Sequence, residues 1–268
     1  MEPFQLTKKS FLTIESWKKI EPNLQVGFTT RQGGTSDGHF QSLNLGLHVP
    51  DNVQNVIRNR KLLAGEVNMT LDQWVSGEQV HGTKVALLHE NHKGKGASSH
   101  ESSIAEIDGL ITNEKGMLCT AFFADCVPVF FFDEKTGYIG IAHAGWKGTV
   151  GGICTKMVEK LVQLGVDVRS LRVAIGPSIS QDNYEVDEKV IENLTDKQRI
   201  TAAKKMPNQH YQLDLKTLNS EILLQSGVLR HNISITNYCT HREEALFFSH
   251  RRDRGKTGRM LGFIGFQS

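Results

Sequence analysis

Three short stretches of this chain carry residues able to do chemistry together: Gln79-Val80-His81-Gly82, Ala124-Asp125-Cys126-Val127-Pro128 and Ile141-Ala142-His143-Ala144-Gly145-Trp146-Lys147-Gly148. Each sets one soft or borderline ligand, His81, Cys126 or His143, where an apolar run gives way to glycine or proline. Together they describe a His/Cys/His metal site. Three protein ligands leave a tetrahedral ion one open position, the arrangement of a catalytic zinc, whereas structural zinc usually takes four. Copper is the competing ion, because two histidines and a cysteine also make a blue-copper donor set and copper outcompetes zinc at most nitrogen and sulfur sites. Spacing alone leaves the question open: eleven histidines and four cysteines allow chance triplets, and no pair has the close Cys-x-x-Cys spacing of a strong zinc motif. A cysteine hydrolase with Cys126 as nucleophile and His81 or His143 as base is a second reading. A zinc that only staples the fold is a third.

The neighbours of the trio extend the candidate site. Asp125, beside Cys126, is a candidate proton shuttle, with an equal claim to be a residue that merely fixes the cysteine turn. Gln79 shares a strand face with His81 if the strand runs that far, which would aim an amide at substrate or water. Lys147 lies in a small-residue turn leading into a helix, where backbone N–H groups attract anions. Arg31 and Asn44, in a polar glycine-rich loop running to His48, and Arg251, in Ser249–Met260, complete the candidates for substrate or phosphate. A solvated charged loop explains the arginines equally well. Cys239 and His241 form a weaker ligand pair, and Cys119 and Cys154 read as core packing.

Composition narrows the class. The 268 residues can bury a full core, and no repeat or composition shift marks a boundary, so one domain spanning 1–268 is expected. Lys and Arg number 31 against 29 Asp and Glu, without the clustered basic excess of a nucleic-acid binder. The start of the chain lacks the apolar stretch of a signal peptide, and the longest apolar run, around Val127 to Phe132, is too short to cross a bilayer. With few, scattered cysteines this points to a soluble cytoplasmic protein.

The elements that must position these residues alternate between strand and helix. Strands are predicted at Leu24–Thr29, Trp74–Val80, Lys84–His89, Asp108–Thr112, Met117–Phe123, Val127–Phe132, Tyr138–Ala142, Leu171–Ile175, Tyr211–Leu215, Ile233–Thr236 and Met260–Phe266. Helices are predicted after Asp51 as cap, with Val53, Val56, Ile57 and Leu63 on one face, over Thr149–Leu164 with Gly165 as C-terminal cap, near Asp187–Leu194 and over Leu215–Ser226. The segment Asn91–Glu106 reads as a mobile surface loop, which leaves His92 and His100 without a role.

Taken in order, FTTRQGG with SLNLGLH, QVHG, DGLIT, TAFFADCVPV, IAHAGWKG, AIGPSISQDNYEV, YCTHREEALFFSHRRD and TGRM span nearly the whole chain. In these motifs the sequence resembles the laccase-domain family of the YfiH and YlmD type, once labelled polyphenol oxidoreductases. The resemblance implies an α/β fold of mixed sheets with helices packed outside, layered α/β/β/α, and a zinc bound by the residues matching His81, Cys126 and His143. It also implies purine nucleoside phosphorolysis, with adenosine, inosine and S-methyl-5′-thioadenosine as substrates, and adenosine deamination. The residues themselves speak against a multi-copper centre, for no histidine has another two positions away. They also lack the H-x-E and P-C-x-x-C signature of zinc nucleobase deaminases. Copper-dependent oxidation of polyphenols stands as the alternative activity.

Overall fold

Six consecutive apolar residues, Val127–Phe132, leave no polar face, and the strand they form is buried on both sides. Side chains alternate along a strand. Phe130 and Phe132 therefore enter one core with Phe4, Phe28, Phe123 and Ile264, while Val127, Val129 and Phe131 enter another with Met157, Leu161 and Leu218. The strand Met117–Phe123 divides in the same way: Cys119, Ala121 and Phe123 join the first of these cores, and Leu118 and Phe122 a third one with Leu63, Ala64 and Val67 of the helix Val53–Val67. In this computed structural model, which describes residues 2–268, helix, sheet, sheet and helices thus stack in that order. This is the expected α/β/β/α layering.

The first sheet has the order Gln5–Lys8, Phe11–Thr13, Leu24–Thr29, Met260–Phe266, Met117–Phe123, Trp74–Ser76. The second has the order Ile233–Ile235, Arg172–Ile175, Val127–Phe132, Ile139–Ala144, Gly109–Thr112, Val85–Leu87. Both mix parallel and antiparallel pairs. A small third sheet joins Glu185–Val186, Tyr211–Leu213 and Ala203–Lys205. The helices Ile153–Gln163 and Leu215–Gln225 cover the outer face of the second sheet.

Four strands, Leu24–Thr29, Met117–Phe123, Val127–Phe132 and Met260–Phe266, have the predicted bounds. Other elements differ for local reasons. The strand starting at Trp74 ends at Ser76, and beyond it the Gln79 side chain takes over pairing: its amide donates to Phe122 O at 2.9 Å and accepts from Phe122 N at 2.7 Å. The expected helix from Thr149 is two, Trp146–Val150 and Ile153–Gln163, parted at Gly151-Gly152, where Gly152 has φ +86°. Asn52 rather than Asp51 caps the helix Val53–Val67, accepting from Gln54 N and Asn55 N. Segment 91–106 is pinned rather than loose, since the buried Arg60 donates to Gly96 O and Ala97 O and Ser76 N to Lys95 O. Among the described residues no helix is long and apolar enough to cross a membrane.

Phe130 lies in the core between the sheets with its ring 5.7 Å from that of Phe4. Truncation there leaves a cavity that stacked sheets close only in part, so Phe130→Ala should lose about 3–5 kcal/mol in denaturant unfolding. Ile200→Ser, at a side chain 83% exposed, should change stability by less than about 0.5 kcal/mol.

Candidate metal centre

The chain crosses from the first sheet to the second twice: between Trp74–Ser76 and Val85–Leu87, and between Met117–Phe123 and Val127–Phe132. His81 lies on the first crossing and Cys126 closes the second. His143 comes from the strand Ile139–Ala144, opposite Pro128 in the ladder. One donor atom from each of the three lies within 4.8 Å of the others, and Cys126 Sγ is 3.8 Å from His81 Nε2. Zinc bond lengths of about 2.0–2.3 Å give a tetrahedral sulfur–nitrogen edge of roughly 3.6 Å, so the spacing fits an ion of that kind. Gly145 makes the room. A Cβ there would come within 2.8 Å of His81 Cδ2 and 3.1 Å of Cys126 Sγ. His143 is buried, Cys126 half-buried and His81 exposed, so the trio opens toward solvent on the His81 side.

A buried carboxylate absent from the sequence-level candidates organises the trio. Asp108 Oδ1 is 2.8 Å from His143 Nδ1 and accepts from His81 N, while Oδ2 accepts from Gly82 N and Val80 N. One side chain thereby orients one ligand ring and grips the backbone of the loop that bears another. A carboxylate behind a ligating histidine fixes its tautomer and raises its basicity. Both crossings also hold left-handed backbone at residues other than glycine, His81 at φ +59° and Asp125 at φ +86°. Such conformations cost on the order of 1 kcal/mol or more and persist only where neighbours enforce them. Asp108 does this for His81. For Asp125 the work falls to Thr240 Oγ1, Ser249 Oγ and Arg251 N, all donating to its carboxylate.

Burial would raise the Cys126 thiol, but the positive His143 and hydrogen bonds from both histidines bring it down to about 6. Burial would lower His143, yet the Cys126 thiolate and Asp108 raise it to about 9. Asp108 is held below the usual carboxylate range although burial opposes this, by its bond to His143, the charge of His143 and the N–H groups of Gly82 and Val80. The free site is therefore a thiolate beside an imidazolium, whose proton a metal ion would displace to solvent. Burial pushes Cys119 and Cys154 up to about 12, as befits packing residues.

Two cavities meet at the trio, sharing Val80, His81, Asp125, Cys126 and Tyr184. The smaller, about 280 Å³, is walled by Trp146, Ile179 and Leu215, with Lys147 at its edge. The larger, about 470 Å³, is lined by Phe122, His143 and the polar side chains His48, Gln79, His100, Arg251 and Arg259. Of the sequence candidates, Lys147, Gln79, Asp125 and Arg251 thus border the cavities, though both amide atoms of Gln79 are engaged by Phe122. Arg31 lies elsewhere, stacked on Phe248 and donating to Gln41 O. Asn44 is fully buried, bonded to Asp51, Gly46 N and Arg259 N. Cys239 accepts from Ser180, and neither it nor His241 lines either cavity. His100, given no role from sequence, lines the larger one, as do His48 and Arg259. Asp108, His48 and Arg259 had a local signal, their places in the DGLIT, SLNLGLH and TGRM motifs, whereas His100 had none.

The double-sheet α/β fold gathers one histidine-cysteine-histidine donor set, of a kind that could hold a soft or borderline transition-metal ion, beside a ligand-sized cavity. The chain belongs to the family described as multi-copper polyphenol oxidoreductase laccase, which it matches over residues 25–267. It is 42% identical to the purine nucleoside phosphorylase YlmD of Bacillus subtilis, over 99% of this chain and 98% of that one. Its fold matches YfiH of Bacillus licheniformis (39% identity) and YlmD of Geobacillus stearothermophilus (40%), each with a TM-score of 0.95 and 100% of both chains covered.

Two outcomes follow from this geometry. Asp108→Asn replaces one accepting oxygen by a donor among four N–H groups, so zinc affinity, measured by competition with a chromophoric chelator, should fall on the order of 10- to 100-fold. Between pH of about 6 and about 9 the metal-free pair keeps one proton on His143, which metal binding must expel. Calorimetry of zinc uptake in buffers of different ionisation enthalpy should find about one proton released by this pair, with affinity rising about tenfold per pH unit across that window and levelling above it.

Proposed function

We propose that this protein is a zinc-dependent purine nucleoside phosphorylase that acts on adenosine, inosine and S-methyl-5′-thioadenosine and also deaminates adenosine. The observation that carries the reading is the three-ligand His81/Cys126/His143 group opening onto paired cavities, in a chain related over nearly its full length to a phosphorylase. Among the described residues it is the one group of this kind, which favours a single ion over a multi-copper assembly. Zinc held there would act as a Lewis acid toward the purine or toward a water.

The chain's own residues account for the remaining requirements. In phosphorolysis a phosphate oxygen bonds to the anomeric carbon of the ribose. The bond from that carbon to the purine nitrogen breaks, its electron pair passes to the base, and the base takes a proton. The site must therefore hold an anion on one side of the sugar and a flat apolar base on the other. Trp146, Ile179, Leu215 and Tyr184 offer the apolar surface, and the larger cavity offers cationic donors. Asp125, with both oxygens engaged by Thr240, Ser249 and Arg251, better suits holding the Cys126 turn than carrying protons. Gln79 keeps the Phe122 wall in register.

A second reading has a specific observation behind it: Cys126 Sγ beside His81 and His143, with Asp108 behind His143, is also the layout of a cysteine nucleophile with an oriented base. One set of assays separates the two. Inosine should release free base and ribose 1-phosphate only when phosphate is present, the protein should carry about one zinc per chain, and Cys126→Ala should lose both zinc and turnover. Ammonia release from adenosine tests the deaminase activity. Zinc should protect Cys126 from alkylation until a chelator removes it. Base release at equal rate without phosphate would reject phosphorolysis, and alkylation unaffected by the chelator would reject a metal on Cys126.

A further inference from the structure

The larger cavity contains a recess lined by a guanidinium edge that no protein group satisfies. Arg259, half-buried, forms its wall with His48, His100 and Phe122. The Arg259 Nη1 donates to Thr257 O and Gly258 O, and Asn44 Oδ1 accepts from Arg259 N, which locks the residue from behind. Neither Nε nor Nη2 of Arg259 has a protein acceptor, and no carboxylate pairs with it, among the described residues. Those two nitrogens form the edge of a guanidinium that grips two oxygens of one phosphate at once.

The surroundings hold that edge in place. The His48 ring lies 5.9 Å from that of His100 and 5.8 Å from that of Phe122, whose face is covered by the buried Arg60 guanidinium at 4.7 Å. A Cβ on Gly46 would strike Arg259 Cγ at 2.8 Å and His48 Cε1 at 3.2 Å, so the glycine permits the two side chains to lie side by side. Burial, then the charges of Arg259, His100, Arg60 and His143, drive the His48 imidazole down to about 3. His48 is thus a neutral hydrogen-bonding group in a field of cations. The acids lining the cavity are bonded elsewhere and none pairs with Arg259: Asp125 accepts from Thr240, Ser249 and Arg251 N, and Glu78 Oε2 accepts from Glu106 N. The other cations are less suited. Arg251 is spent on Glu185 O and the Tyr184 ring, and Lys147 is exposed with its Nζ over Trp146.

We infer that the Arg259/His48/His100 recess is the subsite for inorganic phosphate, with Arg259 gripping two of its oxygens through Nε and Nη2. The inference rests on the phosphorylase reading for the identity of the anion and makes Arg259, rather than Lys147, Arg31 or Arg251, the residue that recruits the attacking reactant. Arg259 lines the same cavity as His81, Cys126 and His143.

The test is equilibrium binding of inorganic phosphate to the metal-loaded protein by calorimetry, without nucleoside, alongside zinc content and phosphate-dependent kinetics. Arg259→Gln should weaken phosphate binding on the order of 10- to 100-fold while zinc content and inosine affinity stay as in the wild type, and Arg259→Lys should recover part of the loss. His100→Ala, on a loop away from the Arg259 backbone anchors, should weaken phosphate several-fold and guards against Arg259→Gln failing to fold. Lys147→Ala should leave phosphate binding unchanged. Wild-type affinity for phosphate in Arg259→Gln, or in His100→Ala together with Arg259→Lys, would overturn the assignment. So would a recess that binds inosine 5′-monophosphate in an Arg259-dependent way but not inorganic phosphate. Failure of the wild type to release base from inosine would instead reject the phosphorylase reading, and the binding measurement still decides whether the recess holds an anion.

Discussion

The Asp108 carboxylate is the contact on which the geometry of the centre depends, because it bonds to two ligand-bearing segments that belong to different parts of the sheet architecture. It orients the His143 ring on a strand of the second sheet and, through the N–H groups of Val80, His81 and Gly82, holds a crossing loop in a conformation it would not adopt alone. Buried carboxylates are costly unless fully bonded, and here both oxygens are used twice. The same arrangement that offsets the cost of burying Asp108 also sets the donor nitrogen of His143 toward Cys126.

This keystone works because the two sheets are rigid supports. Strands buried on both faces interdigitate with three separate cores, so the ends of Met117–Phe123, Val127–Phe132 and Ile139–Ala144 have little freedom. The crossings between sheets carry the strain. Left-handed residues at His81 and Asp125 lie next to or within the donor set, each held by a dense group of hydrogen bonds. Gly145 then supplies the vacancy that lets His81 and Cys126 approach. Rigid strands, two strained turns and one missing methyl group together place three donor atoms where one ion can reach them all.

The cavities beside the trio divide by chemistry. One is walled by Trp146, Ile179 and Leu215, the other by arginine and histidine, and the segments that build the second come from far apart in the chain: the loop before the helix Val53–Val67, the pinned segment around His100, and the approach to the last strand. The last strand, Met260–Phe266, is inserted between Leu24–Thr29 and Met117–Phe123. Arg259, just before it, is thereby carried to the rim where the His81, Cys126 and His143 donors lie. Asn44, a residue with no access to the cavity, acts on the site only through the backbone of Arg259.

Much of this was legible in the residues. Continuous apolar runs determine strands buried on both faces, and for that reason Val127–Phe132 and Met117–Phe123 have the bounds expected of them. Soft ligands placed where such runs end mark His81, Cys126 and His143, and the ordered motifs identify the family. What sequence leaves undecided is anything set by contacts between distant segments. A Gln79 amide can aim at a substrate or stand in for a strand, and only the position of Phe122 decides. Asp108 reads as the first residue of a strand until three backbone N–H groups and an imidazole converge on it. His100 reads as part of a polar loop until Arg60 and Ser76 fasten that loop against the first sheet, and Arg31 and Arg259 are indistinguishable by type although one lies on an outer surface and the other at the cavity. Local pattern determines which residues are buried and which elements form, because propensity and periodicity act over a few residues. Which polar groups end up facing one another depends on how the sheets stack and where the chain crosses between them, and tertiary structure alone decides that.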